Sequence, residues 1–230
     1  MTITFITGAN KGLGRETTRR LVEAGHTVVL GARDQERGAA AAADLGVRFV
    51  PIDITDDTSV ATAAADIERH EGTLDVLINN AGMLSPQEDP NSITGADAQR
   101  LFDVNLFGAI RTTSAFLPLL RRSPDPVIIN VTSGLGSLAL THDPSRVEST
   151  VNAPLYCASK AALTMLTTQY AKALPGVRIN AVDPGYTATD LNGHTGTQTV
   201  TEGTDAIVAL ATEAPGSPSG RVVDRAGELP

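Results

Sequence analysis

Short apolar runs alternate with helix-forming stretches along the whole of this 230-residue chain, and that alternation restricts its fold more than any other feature. The runs at 3–6, 27–30, 47–50, 74–78, 127–131, 177–182 and 221–224 are each the length of one strand. The run at 74–78 is almost continuously apolar, as expected of a strand covered on both faces. Between the runs, apolar residues recur at helical spacing over 13–24, 39–45, 56–71, 96–120, 155–173 and 204–212. Gly25, Gly46 and Gly72 stand where the first three of these helices should stop. Strand–helix alternation implies right-handed crossovers and a doubly wound parallel sheet of the α/β class, with about seven strands. No Pro/Gly/Ser-rich linker and no internal repeat divides the chain, so residues 1–230 are expected to form a single domain. Its core must be aliphatic, because aromatic residues make up only 3% of the chain.

The first strand runs into Thr7-Gly8-Ala9-Asn10-Lys11-Gly12-Leu13-Gly14, which opens the first helix. Glycines in such a turn let the backbone bend sharply and approach a pyrophosphate. The helix N-terminus then offers free N–H groups and a positive dipole end. The spacing is G-x-x-x-G-x-G, not the G-x-G-x-x-G of the standard dinucleotide fingerprint. Beyond the second strand, an acidic side chain would suit the ribose diol of NAD and a basic one the 2′-phosphate of NADP. Arg33 comes first there, Arg37 follows one helical turn later, and Lys11 reaches the same region. These cations favour NADP(H). In the competing reading Asp34 takes the diol of NAD(H) and the arginines face solvent.

Tyr156 and Lys160 are four residues apart and share one face of a helix. A phenol is a poor acid near neutrality, with a pKa of about 10. An ammonium beside it stabilises the phenolate and lowers that value. The pair is a candidate proton donor and acceptor for interconverting a carbonyl and an alcohol.

Together these motifs resemble the short-chain dehydrogenase/reductase family over nearly the whole chain. Thr7-Gly8-x-x-x-Gly12-x-Gly14 is similar to the family's cofactor loop, and Asn79-Asn80-Ala81-Gly82 to its second signature. The resemblance implies a Rossmann-type domain and a catalytic set of Asn105, Ser133, Tyr156 and Lys160. It implies cofactor contacts at Gly8, Asn10, Lys11, Gly12, Leu13, Gly14, Arg33, Arg37, Asp53, Ile54, Asn80, Ala81, Gly82, Tyr156, Lys160, Pro184, Gly185, Thr187 and Thr189. Asn10-Lys11-Gly12 and Ala32-Arg33-Asp34 are similar to the NADPH-dependent carbonyl reductases. The family analogy also gives Asn105 a reason to sit mid-helix, where Asn is otherwise disfavoured: its side chain would hold a locally irregular backbone and a proton-relaying water. Ser133 and Tyr156 stand 23 residues apart, roughly ten more than the family's usual gap, which marks 137–154 as an inserted segment and a long loop. It is expected to form a flap over the substrate side and to hinder the helix pairing that makes many relatives oligomers. A monomer or homodimer is the expectation. Residues 187–203 are the expected substrate lid, also a long loop.

A formal net charge of −8 and no basic run argue against a nucleic-acid partner. No apolar stretch is long enough to span a bilayer, and the strand pattern starts at once. The expected location is the cytoplasm. Cys157 is the only cysteine, so no intrachain disulfide can form, and a buried inert thiol is its expected role. The histidines show no metal-ligand spacing, and no metal is expected. Two functions remain in view: an NADPH-dependent reductase of a ketone or aldehyde, and a non-catalytic NADP(H)-binding sensor. Intact Tyr156 and Lys160 favour the first. The substrate would be a small-molecule carbonyl or alcohol.

Overall fold

The computed structural model describes residues 1–85 and 88–230. Strict alternation builds the first half: β1 (Ile3–Ile6), α1 (Gly12–Glu23), β2 (Thr27–Ala32), α2 (Gln35–Leu45), β3 (Arg48–Pro51), α3 (Asp57–Glu71) and β4 (Val76–Asn79). Then come α4 (Gly95–Phe102), a π-helical step at Asp103–Phe107, α5 (Gly108–Leu120) and β5 (Val127–Val131). The remainder holds α6 (Leu138–His142), α7 (Pro154–Ala173), β6 (Arg178–Val182), α8 (Val200–Gly203), α9 (Asp205–Thr212), β7 (Val222–Asp224) and β8 (Gly227–Glu228).

The strands form one sheet in the order β3-β2-β1-β4-β5-β6-β7-β8. All neighbours are parallel except β7 and β8. Register explains the two cores. Phe5 lies opposite Val29 and Leu77, and the row continues through Ile128 to Ile179. These residues share one face and pack with Val60, Ile67, Phe116 and Leu120 from the helices of that side. Phe5 and Phe116 stack there with ring centroids 4.9 Å apart. One residue along, Ile6, Leu30, Ile78 and Ile129 face the other way, against Leu21, Ile207 and Leu210. The period of two thus sends successive residues of each strand into opposite layers. Because both layers are apolar, the strands read as continuous apolar runs. Beyond β1 the sheet order turns back, so a crevice opens at the carboxyl ends of β1 and β4.

The sheet has the seven parallel strands expected and adds β8, which is two residues long and pairs antiparallel at the edge, too short and polar to leave an apolar run. The structure corrects three expectations. The helix expected over 96–120 is interrupted at Asp103–Phe107. The helix expected to begin at 39 begins at Gln35, because the Asp34 side chain accepts the Arg37 N–H and caps it. The segments 137–154 and 187–203 are not plain loops: they carry α6, α8 and 3₁₀ turns at Val147–Thr150 and Asp190–Asn192. Among the described residues, no helix is long and apolar enough to cross a membrane.

Candidate active site

Two chain segments lock together at the mouth of the crevice. Gly8 has a φ of +65°, and a Cβ there would stand 2.8 Å from the Ala81 α-carbon. A Cβ on Gly14 would stand 2.7 Å from the Gly8 carbonyl oxygen. Only glycine fits at either place. Asn80 Nδ2 donates to the carbonyls of Thr7 at 2.8 Å and Gly8 at 3.1 Å. The Thr7 hydroxyl oxygen accepts the N–H groups of Asn80 and Ala81, each at 3.1 Å. The turn after β1 is therefore held rigidly by the segment after β4. Lys11 occupies the N-cap of α1, and no side chain caps that N-terminus. Its first N–H groups are left for a ligand.

A cleft of about 600 Å³ runs from this turn across the sheet edge. Every residue expected to hold the cofactor lines it except Gly185 and Thr187. Gly185 lies against the Gln198 side chain, and the Thr187 hydroxyl is buried and donates to the Pro184 carbonyl at 2.9 Å. At the far end, Lys11, Arg33, Asp34 and Arg37 share the lining. Two of the cations are already paired: Lys11 Nζ with Asp190 at 3.1 Å, and Arg37 Nε with Asp34 at 3.2 Å. Arg33 is exposed and, among the described residues, pairs with no carboxylate.

At the near end, Tyr156 sits in the first turn of α7 and is almost wholly buried. Its hydroxyl lies beside the side chain of Ser133, which follows β5. Lys160, one turn on, donates through Nζ to the Val131 carbonyl at 2.9 Å and lies 5.7 Å from the centroid of the Tyr156 ring. The sequence suggests a phenol drawn down by this ammonium. In the structure burial pushes the Tyr156 phenol above its usual value. Asp183 pushes it the same way, while the Ser133 side chain pulls it down. Burial also lowers Lys160 to about 8, against a smaller upward pull from Asp183.

Asn105 occupies the π-helical step. Its Oδ1 accepts the Met83 N–H at 2.9 Å, and its Nδ2 donates to the Met83 carbonyl at 2.9 Å and to the Ser159 hydroxyl at 3.1 Å. A Cβ on Gly82 would stand 3.4 Å from Asn105 Oδ1 and 3.5 Å from Lys160 Nζ, so both side chains border the same point. Asn105 thus stands at an irregular turn of its own helix while its side chain pins Met83, in the loop after β4.

Three residues matter here that sequence reasoning passed over. Glu88 caps the catalytic helix from a distant loop: its carboxylate accepts the N–H groups of Leu155 at 2.8 Å and Tyr156 at 3.1 Å. Asp190 neutralises Lys11. Asp183, buried at the end of β6, accepts the Gly185 N–H at 2.9 Å. A carboxylate directly after a fully buried strand was the one readable signal. Cys157 is half-buried, and burial pushes its thiol up, as an unreactive thiol requires.

Residues 2–199 match the family model of the short chain dehydrogenases. The chain is 37% identical to a short-chain dehydrogenase, anuI, of Penicillium roqueforti, over 96% of this chain and 93% of that protein. It is 32% identical to a (−)-isopiperitenone reductase of Mentha piperita, over 94% of each. Among solved structures, the NADPH-bound carbonyl reductase from chicken fatty liver superposes with a TM-score of 0.87 at 26% identity, covering 100% of this chain and 99% of that one.

Proposed function

The chain belongs to the short-chain dehydrogenase family of oxidoreductases, and from that premise we propose that it reduces a ketone or aldehyde with NADPH, and oxidises the matching secondary alcohol in reverse. One observation carries the reading: the Ser133 and Tyr156 side chains are neighbours at one end of a cleft whose other end holds the N-terminus of α1 and Arg33, which among the described residues pairs with no carboxylate. The glycine cradle and the free N–H groups of α1 fit a pyrophosphate. Arg33 fits a 2′-phosphate, and Asp34, already spent on capping α2, is a poor partner for a ribose diol. The coenzyme supplies the hydride. Ser133 holds the substrate oxygen by a hydrogen bond and Tyr156 gives it a proton. Lys160 is still largely protonated at neutral pH and steadies the phenolate left behind. Asn105 keeps the loop after β4 in place beside Lys160. Residues 187–203 close the substrate side, with Lys11–Asp190 as a clasp.

Oxidation of NADPH by a carbonyl panel, followed at the near-ultraviolet band of the reduced nicotinamide, tests this. Tyr156→Phe should lose at least about a hundredfold in kcat while binding of NADPH, read by fluorescence, persists. Full activity in that variant refutes the mechanism. Binding without turnover by the native protein across the panel would favour a sensor.

A further inference from the structure

A second group of charges lies behind the catalytic hydroxyls. Asp183 accepts the Gly185 N–H at 2.9 Å through Oδ1, and its Oδ2 lies against Gly134. Gly134 follows Ser133 and Gly185 follows Pro184. One buried carboxylate thus ties the serine's turn to the turn after β6. The inserted segment adds to it. Glu148 is buried and pairs with Arg146 at 2.9 Å. A Cβ on Gly134 would stand 2.7 Å from Asp183 Oδ2 and 2.9 Å from Glu148 Oε1, so two carboxylates converge on one bare glycine. Asp224 and Arg225 line the same cavity.

We propose that Asp183 is a positioning residue of the catalytic site: it holds the Ser133–Gly134 turn against Pro184–Gly185, and its charge, governed by Glu148 of the inserted segment, sets the pH at which Tyr156 and Lys160 work. The inference rests on the reductase reading above. A fixed negative charge opposes a neighbouring phenolate and favours a neighbouring ammonium, and Asp183 acts in both directions, raising Tyr156 and raising Lys160. Its own carboxyl is pushed up by burial first, held down by the Gly185 and Gly134 amides, and pushed up again by Glu148 and Asp224. The groups around it are therefore Glu148 and Arg146 from the inserted segment, Asp224 from the β7 end, whose neighbour Arg225 pairs instead with Glu202 and Asp205, and Tyr156 and Lys160 from α7. The extra residues between Ser133 and Tyr156 deliver a charge to the site.

Asp183→Asn and Glu148→Gln test the inference. In Asp183→Asn, the phenol midpoint of Tyr156 should fall by about one pH unit, read by NMR of ¹³C-labelled tyrosine in free and NADP⁺-bound protein, the resonance being assigned with Tyr156→Phe. Its kcat should fall about tenfold with NADPH affinity kept within about threefold. In Glu148→Gln, the Asp183 carboxyl midpoint and the acid limb of the kcat profile should both move to lower pH. Superimposed tyrosine curves for native protein and Asp183→Asn overturn the proposal. Should Asp183→Asn fail to fold, an unmoved Asp183 midpoint in Glu148→Gln overturns it instead. Failure of the native protein to turn over any carbonyl would sink the reductase reading alone, because both NMR titrations judge Asp183 without a substrate.

Discussion

Burial takes Lys160 down to about 8, from 10.5 in an unfolded chain. Between those values the unfolded chain keeps a proton that the folded protein has shed, so stability rises with pH across that window. Tyr156 acts the other way above about 10, because the folded protein holds the phenol proton longer than the unfolded chain does. Lys160→Met should erase the rise between about pH 8 and 10, on the order of 2–3 kcal/mol, in urea unfolding of the coenzyme-free protein. An equal rise in variant and native protein would show that the ammonium is not desolvated. Arg33 makes the second prediction at this scale. As the cation at its end of the cleft that pairs with no carboxylate among the described residues, it should discriminate between coenzymes. Arg33→Ala should weaken NADPH by about ten- to a hundredfold and leave NADH within about threefold, by fluorescence titration; equal losses would return the ribose to Asp34.

Helix α7 has no side-chain cap of its own: Ala153 precedes it and Pro154 opens it. Glu88 takes over that task, and it does so at the turn that carries Tyr156. Glu88→Ala should cost about 1–2 kcal/mol in unfolding free energy and lower kcat more than it raises the KM for NADPH; an unchanged kcat would mean that Tyr156 keeps its place without the cap. The π-helical step is a second case of an element completed from elsewhere. Its irregular turn lets Asn105 pair with both backbone groups of Met83. Asn105→Ala leaves those groups unpaired. Each costs about 1–3 kcal/mol when buried, so chemical denaturation should report a loss of at least about 2 kcal/mol; Asn105→Asp, which keeps one acceptor, should lose less. The interruption was foreshadowed by an Asn at a helix interior. Its extent was not, because a π step depends on which carbonyls find partners outside the helix.

Ligand binding makes a prediction for the whole molecule. A coenzyme held only by the folded chain stabilises it by about 2.7 kcal/mol at a hundred times its Kd, or roughly 5–10 °C in Tm for a domain of this size. Thermal shift with equal NADPH and NADH should favour NADPH by several degrees; equal shifts would contradict the role given to Arg33. How much was legible follows from distance along the chain. The strands could be read because both sides of the sheet are covered by helices, which leaves runs such as 127–131 almost wholly apolar. Gly8 to Gly14 could be read because a glycine turn is made by neighbours in sequence, and Tyr156 and Lys160 because one helical turn joins them. The short β8 and the turns inside 137–154 and 187–203 escaped, since their hydrogen bonds are local and their side chains mostly polar. Sequence alone thus determined the doubly wound sheet, the glycine turn after β1 and the placing of Tyr156 and Lys160 on one helix, all of which rest on short-range periodicity and spacing. Only the tertiary structure decided that burial pushes the phenol up, that Glu88 caps the catalytic helix, that Asp190 occupies Lys11, and that Asp183 and Glu148 meet behind Ser133. Those outcomes depend on which distant groups share a low-dielectric interior, and that is a property of packing rather than of order along the chain.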